Sequence, residues 1–446
     1  SFPVQIGVRQ GCVLSPTLFN LYISDLVNDL NMTDKDAPLL HHSKVTSLLY
    51  ADDIVLLSES QQGLQNAINT LGRYCQKWKL TVNLTKTKII VFNKKGHNFS
   101  KLSFQLFSKS IDVVSSYSYL GVVFTAGCNF NTAMKALQKK ALRALFSIKC
   151  TLGDTRAPIS VYFKLFDQCI APILLYGAET WCNSKLNDNS PLEQTHLKFC
   201  KHILGVRRNA SNYASRAELG RFPLWIEACC RMYSYYYRLV RNVPIESLQY
   251  EAYIVQKDLV SSKIPCWLWN MKTVLEESGY ACLFTHDYIN KPFHLHELRQ
   301  RLKDIFIQKF NSALKTKGRE GNQGNKLRTY KTFKEIYDKE PYLNIPNFKN
   351  RRAMCKLRIS DHPLHIESGR HSRTPLHDRI CKFCNNSCIE DEMHFLLDCV
   401  LYEEERQSLF KLIQLDKRCK TISKQNTFRH LMSCKDVNVM NEVCNY

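Results

Sequence analysis

The chain of 446 residues carries 62 Lys and Arg against 40 Asp and Glu, a net charge of +22, with 44% hydrophobic residues. That hydrophobic content is ordinary for globular protein and excludes wholesale disorder, and the length allows roughly three domains. The positive excess favours a polyanionic partner; because no apolar run approaches the length that spans a bilayer, nucleic acid fits better than membrane.

Near the start, Gln10-Gly11 makes a corner where a glycine lets backbone approach a ligand closely. Ser15-Pro16 then suits a helix start, with Ser15 as N-cap and Pro16 at the first helical position. Leu18, Leu21, Tyr22 and Asp25-Leu26 continue at helical spacing. Residues 31 to 43 look like an irregular surface connection. Two apolar runs follow, Val45 to Tyr50 and Ile54 to Ser58, around a tight Ala51-Asp52-Asp53 corner. Such runs predict two buried strands of a hairpin. Asp is depleted in strands and an unpaired buried carboxylate is costly, so a second one beside it needs a reason. A divalent cation supplies one, since hard cations take carboxylate oxygens and cancel their repulsion. On Asp-Asp alone, a solvated turn is the better reading.

Leu64, Ala67, Ile68, Leu71, Tyr74 and Cys75 predict an amphipathic helix packed on the sheet. Tyr117 to Phe124 reads as a strand around Gly121. Met134, Leu137, Ala141, Leu145 and Ile148 form the apolar stripe of a further helix, with Lys135, Lys139, Lys140 and Arg143 off it. Residues 130 to about 300 read as mainly helical. In Arg231 to Arg238 aromatics interleave with arginines, which would suit base stacking, but the tyrosines cover every face and core packing is the better reading. From Arg299 to Arg358 there are 17 Lys or Arg against 5 Asp or Glu, a net +12, with a flexible loop expected at Gly318 to Gly324. A segment this basic is an electrostatic footprint for nucleic acid.

Nineteen cysteines are scattered through the chain, mostly as reduced buried small hydrophobes. One group differs: Cys381, Cys384, His394 and Cys399 give C-x2-C-x9-H-x4-C. Cys-x2-Cys presents two thiolates to one ion, and His394 and Cys399 lie about a turn and a half apart on a helix predicted over 391–401. Four such ligands fit tetrahedral Zn²⁺ in a closed, structural site. Cys388 is read as a bystander, and a chance grouping is the competing account.

Tyr50-Ala51-Asp52-Asp53 resembles the metal-binding box of reverse transcriptases. Gly7 to Ile23 resembles that family's Gln-Gly…Ser-Pro box, and Leu80 to Lys88 and Tyr119-Leu120-Gly121 resemble its next two, in the right order. The resemblance is strongest to non-LTR (LINE-type) retrotransposon enzymes. It extends to 171–181, to 198–206 and to the residues around the Cys/His group: Arg379-Ile380, Glu390-Asp391-Glu392 and His394-Phe395.

The resemblance implies an α+β chain: a partial right-hand polymerase palm (1–128), a helical thumb and linker (129–298), a basic nucleic-acid-binding segment (299–376), a zinc-knuckle-like segment (377–402) and a tail (403–446). It implies RNA-templated DNA synthesis from a 3′-hydroxyl, commonly at a nicked chromosomal target, with an RNA template, a DNA primer and dNTPs as partners. Two Mg²⁺ (or Mn²⁺) ions carry the chemistry, Asp52 ligating directly and Asp53 supporting the site. Gln10, Gly11, Ser15, Pro16, Tyr50 and Lys86 are implied in template or substrate binding, although a solvated Lys86 is an equal alternative. The implied localisation is intracellular, in the nucleus and in cytoplasmic ribonucleoprotein; no oligomeric state follows.

The chain opens at Ser1, within a few residues of the first box, and reads as a fragment. The family's remaining metal-ligand Asp precedes the Gln-Gly box, and residues 1–6 contain no acid. The expectation is a polymerase incomplete over these residues. The rival is a catalytically dead, basic RNA- or DNA-binding relic with a structural zinc. An endonuclease is not expected, because the 47 residues after Cys399 hold no convincing acidic cluster with a lysine.

Overall fold

The computed structural model describes residues 7–8, 11–33, 35–93, 102–152, 157–284, 295–315, 327–384, 387–415 and 423–445. Its α+β architecture divides into two compact units, one of residues 1–133 with 235–272 and the other of 134–234 with 273–446.

The first unit begins with helices α1 (Ser15–Tyr22) and α2 (Leu26–Thr33), then the short hairpin β1 (Leu39–Leu40) and β2 (Ser43–Lys44). The hairpin β3 (Ser47–Tyr50) and β4 (Asp53–Leu56) leads into helix α3 (Gln61–Lys77). Two more hairpins follow, β5 (Phe104–Leu106) with β6 (Lys109–Ile111), and β7 (Ser116–Tyr119) with β8 (Val122–Thr125). All four hairpins are antiparallel and two-stranded. The connection over 31–43 is therefore more regular than its composition suggests: α2 reaches Thr33 and a hairpin starts at Leu39.

Helix α3 organises this unit. Ser60 caps it by accepting from the Gly63 N–H at 2.9 Å, which satisfies one of the orphan donors of a helix start. Its expected stripe is the buried face: Ala67, Ile68, Leu71, Tyr74 and Cys75 are buried, with Leu64 packed beside them. Leu26 and Leu30 of α2 close one side, with Leu49, Ile54 and Leu56 of the β3–β4 hairpin against the same cluster. On the other side Ile68 joins Ile89, Phe104, Leu106 and Ile111. Gly72 permits that approach, since a Cβ there would stand 2.8 Å from Leu106 Cδ1.

The stretch Tyr117 to Phe124 is a hairpin and not one strand. Leu120 and Gly121 form its corner with φ of 45° and 80°, and two consecutive left-handed residues reverse the chain where a strand would continue. Helices α11 (Leu248–Ser261) and α12 (Trp267–Glu277) also contribute to this unit, Glu251 accepting from Ser43 N–H and Oγ at 3.1 and 2.7 Å.

The second unit is mainly helical, which includes most of the stretch from 130 to about 300 expected to be so. It takes most of α4 (Asn131–Leu152), then α5 (Ile159–Leu165), a π-helical turn Phe166–Ile170, α6 (Ala171–Leu174), α7 (Ala178–Trp181), α8 (Pro191–Leu204), α9 (Asn212–Glu218) and the start of α10 (Leu224–Arg241). It continues through α13 (Leu295–Lys315), α14 (Phe348–Arg358), α15 (His365–His371), α16 (Glu392–Leu397), α17 (Glu403–Leu415), α18 (Lys424–Ser433) and α19 (Val437–Asn445). On α4, Met134, Leu137 and Ala141 are buried while Lys135, Lys139, Lys140 and Arg143 are exposed. Tyr233 and Tyr236 of α10 are buried, which is core packing, while Tyr235 and Tyr237 are half-buried.

Part of the basic segment points inward. The Arg358 guanidinium is buried against Glu218 at 2.9 Å and Glu340 at 2.8 Å, and Lys334 is buried against Glu340 and the Ala217 carbonyl. Arg328 pairs with Glu367 and Glu392 at 2.6 and 3.0 Å. Arg301, Arg351 and Arg352 donate to backbone carbonyls. Lys334 and Arg358 are thereby taken out of solvent, Arg328 and Arg351 partly so, while Arg301 and Arg352 stay exposed. Gly318 to Gly324, with Lys317, Arg319 and Lys326, lies outside the described residues.

Candidate active site and metal-binding cluster

The β3–β4 register pairs Ser47 with Leu56 and Tyr50 with Asp53, leaving Ala51 and Asp52 as a two-residue corner. Alternation does the rest: Leu49 and Ile54 face the core, while Tyr50 and both carboxylates project outward. The strands were expected to be buried; they are half-buried, because one face of the hairpin meets solvent. Asp52 and Asp53 thus escape the desolvation cost of a buried pair and stand at an exposed tip. Among the described residues neither carboxylate has a hydrogen bond or an ion pair. Ala51 takes a left-handed φ of 51°, a strain that an alanine pays to close so short a turn.

Burial, and then the negative charge of Asp53, push the Tyr119 phenol above its ordinary range. Tyr119, the last residue of β7, thus lies within electrostatic reach of Asp53. Tyr50 is 63% exposed. Lys86 is exposed in the turn after Asn83, its backbone N–H donating to the Asn83 carbonyl at 3.2 Å. Gln10 lies outside the described residues. Gly11 is exposed with φ of 82° and nothing within 4 Å of where a Cβ would sit. Helix α1 starts one residue earlier than the capping pattern predicts: Leu14 is the N-cap, without a side-chain bond, so Ser15 and Pro16 are its first two residues. Helix α1 buries none of its own residues.

In the second unit, Cys381, Cys384, His394 and Cys399 are all buried, and one ligand atom from each lies within 4.8 Å of the rest. The long spacer folds back as a small antiparallel ladder: Cys381 N–H donates to the Cys388 carbonyl at 2.8 Å and Glu390 N–H to the Arg379 carbonyl at 2.9 Å. Helix α16 then starts on Asp391, whose carboxylate accepts from the His394 N–H at 2.8 Å. It ends at Leu397, so Cys399 follows the helix and does not ride on it as the spacing suggested. The Cys399 N–H still reaches back to the His394 carbonyl at 2.9 Å. Cys388 is exposed and outside the cluster.

The donor set fits a soft divalent ion. The Cys381–Cys399 sulfur separation of 3.8 Å and the Cys384 Sγ to His394 Nε2 separation of 3.4 Å match the edge of a tetrahedron with bonds near ~2.3 Å. Burial, and also the neighbouring Cys381 and Cys384 sulfurs, push the Cys399 thiol up to about 11. Three buried sulfurs converging with an imidazole nitrogen suit one shared cation. His394 Nε2 faces Cys384, and its Nδ1 has no hydrogen-bond partner among the described residues. Four protein ligands leave no open position, so the cluster can hold a structural zinc.

Beside it is a residue that sequence reading named only as part of an acidic run. Glu392 is fully buried, and its carboxylate accepts from Arg328, Thr329, Ser360 and His362 at 2.8–3.1 Å. Burial alone would raise its pKa; the His362 hydrogen bond and the Arg328 charge win and hold it at about 2. No local signal marks these partners, which come from stretches 30 to 64 residues away.

Residues 1–124 match the family described as reverse transcriptase (RNA-dependent DNA polymerase). The chain is 33% identical over 192 residues to the probable RNA-directed DNA polymerase from transposon BS of Drosophila melanogaster, covering 40% of this chain and 20% of that protein. It is 31% identical over 129 residues to a Pol polyprotein from the type-1 retrotransposable element R2 of Popillia japonica, covering 28% and 21%. Against the putative 115 kDa protein of the element R1DM of Drosophila melanogaster it is 24% identical over 286 residues, covering 62% and 26%. The chain thus resembles non-LTR retrotransposon reverse transcriptases, carries a Cys-Cys-His-Cys cluster near its C-terminus, and spans about a fifth to a quarter of these relatives. Among the described residues no helix is long and apolar enough to cross a membrane.

Proposed function

We propose that these residues form the later part of an RNA-directed DNA polymerase of the non-LTR retrotransposon kind, acting by target-primed reverse transcription. The observation that carries this reading is the exposed Asp52-Asp53 pair at a hairpin tip, its carboxylates with no hydrogen bond or ion pair among the described residues, inside the stretch that matches the reverse transcriptase family. Asp52, in the corner itself, is the direct ligand of a divalent cation, and Asp53 supports it from the first position of β4. Mg²⁺ or Mn²⁺ held there supplies activation of the primer 3′-hydroxyl and neutralisation of the departing pyrophosphate.

The chain's own residues bind and orient. Gln10, Gly11, Ser15 and Pro16 bind template and nucleotide by resemblance to the family's box, Tyr50 flanks the tip, and Lys86 offers a cation to the triphosphate. Lys135, Lys139, Lys140 and Arg143 on α4 grip phosphates, with the solvated lysines of 299–358 adding a second footprint. Zn²⁺ is the ion of the Cys/His cluster. Such a protein works on chromosomal DNA and travels with its RNA, in the nucleus and as a cytoplasmic ribonucleoprotein.

Residues 1–6 contain no acid, and a two-metal site needs a further carboxylate bridging both ions. The 446-residue protein should therefore bind an RNA template annealed to a DNA primer, with affinity falling steeply as salt rises, yet leave the primer unextended. A longer polypeptide supplying that carboxylate should extend it, and Asp52→Asn should abolish extension. If the longer polypeptide binds but never extends, the nucleic-acid-binding relic is the correct reading. Robust extension by the 446 residues alone would show that the metal site uses other carboxylates.

A further inference from the structure

Glu392 joins two things that lie far apart in the chain. It is the first residue of α16, the helix that presents His394 to the Cys/His cluster two positions later. Its carboxylate also collects two distant stretches. From the first, Arg328 donates to both oxygens at 3.0 and 3.1 Å and Thr329 Oγ to one at 2.9 Å. From the second, Ser360 Oγ and His362 Nε2 meet it at 2.8 and 2.9 Å. Because an ionised carboxylate only accepts, His362 donates from Nε2.

The network then runs on. Arg328 reaches Glu367 at 2.6 Å, and Glu367 accepts from Arg370 Nε at 2.9 Å. A second tie runs through the metal-ligand ladder itself: His365 N–H meets Glu390 Oε2 at 2.7 Å, Ile366 N–H meets the Glu390 carbonyl at 3.1 Å, and Arg379 Nη1 meets the Ile366 carbonyl at 2.9 Å. Helix α16 has only six residues, too short to persist by propensity alone. Its position depends on its Asp391 cap and on whatever holds His394.

We infer that the ion bound by Cys381, Cys384, His394 and Cys399 orders more than its own loop: by fixing α16 it sets Glu392 as the hub that holds 327–334 and 358–371 in place. This rests on the metal-binding reading of the cluster. The cluster is then a clasp on the basic segment, and the cations of that segment are presented in a fixed arrangement only while the ion is bound.

Hydrogen exchange on the full chain tests this, with the zinc-bound protein, the protein after zinc is chelated, and Glu392→Gln compared by peptide. Chelation should speed exchange in 379–402 and also in 327–334 and 358–371, leaving α3 unchanged. Glu392→Gln should retain zinc by elemental analysis yet speed exchange in 327–334 and 358–371 by about tenfold or more, the scale of losing hydrogen bonds to a charged acceptor. Should that variant fail to fold, Thr329→Val and Ser360→Ala each delete one donor and should give the same pattern at smaller amplitude. If chelation loosens 379–402 alone, or if the zinc-loaded variants keep 327–371 protected, the hub is incidental and the inference falls, while the metal reading of the cluster stands. A purified chain with no metal at the cluster overturns both.

Discussion

The acidic tip of the first unit and the Cys/His cluster of the second are both short sequence motifs with the chemistry to bind metal, yet they are built in opposite ways. Asp52 and Asp53 are exposed, have no partner among the described residues and offer only two ligands from adjacent positions. The cluster draws four ligands from 19 consecutive residues, buries all of them and leaves no position open. An open carboxylate pair suits an ion that must also meet substrate phosphates and water. A closed thiolate-imidazole set suits an ion that replaces a hydrophobic core. The two sites should therefore respond to mutation in opposite currencies, ligand binding in the first and folding in the second.

The largest effect should come from Cys384→Ser. Structural zinc contributes on the order of 10–16 kcal/mol of apparent binding free energy in small metal-folded units, more than the ladder over 379–390 can supply. Zinc should fall from about one per chain to none, and trypsin should cut within 379–402 while α3 stays intact. Cys388→Ser sharpens the contrast, since that exposed thiol lies outside the cluster and its loss should leave zinc in place. A Cys384→Ser protein still resistant to trypsin there would make these cysteines ordinary core residues.

Next in size is Arg358→Met. The side chain is buried between Glu218 and Glu340, so its removal strands two carboxylates away from water and should cost about 3–5 kcal/mol. The urea midpoint for exposure of α8 and α14 should fall accordingly, without change in α3. An unshifted midpoint would mean that these acids take up protons freely, and that the inward cations of the basic segment are not what binds it.

Acidification tests the same network. Burial opposes ionisation of Glu193, Glu218 and Glu392, but hydrogen bonds and cations prevail and all three lie below the ordinary 4.5, Glu392 at about 2. A depressed carboxyl stabilises fully above its unfolded pKa and loses that contribution as pH falls through its folded one. Glu340, raised by burial and by Glu218, works in the other direction. Three against one, the second unit should lose stability progressively from about pH 4.5 toward 2, read by near-ultraviolet circular dichroism. Stability that rises over that window would contradict these assignments.

The contrast also separates what was legible in the sequence from what was not. The α3 stripe, the Ala51-Asp52-Asp53 corner and the Cys/His spacing are local patterns, in which residues a few positions apart dictate burial, turn and ligand set. The hairpin at Leu120-Gly121 was missed because a leucine with left-handed φ carries no turn signature. The end of α16 before Cys399 was missed because a four-residue spacing fits a helix as well as it fits a helix and its exit. The inward turn of Arg328, Lys334 and Arg358 was invisible for a deeper reason. Their partners at Glu218, Glu340, Glu367 and Glu392 are up to 140 residues away, and composition alone assigns such cations to solvent.

The smallest effect on folding should be the most informative for function. Asp52→Asn and Asp53→Asn each remove a charge from an exposed tip where, among the described residues, no hydrogen bond or ion pair depends on it, while Leu49 and Ile54 keep the hairpin seated on α3. The melting temperature should shift by less than about 2 °C, and upward if anything, because two adjacent like charges repel. Mn²⁺ offered to the 446-residue protein should relax nearby nuclei around Tyr50 and Tyr119, and each substitution should weaken that effect, Asp52→Asn more than Asp53→Asn. A stable variant that has lost the Mn²⁺ response places the tip among sites built for a ligand. If instead Asp52→Asn unfolds the hairpin and leaves the Mn²⁺ response of the folded fraction intact, the carboxylate is holding its own turn. The acidic corner would then be a structural feature.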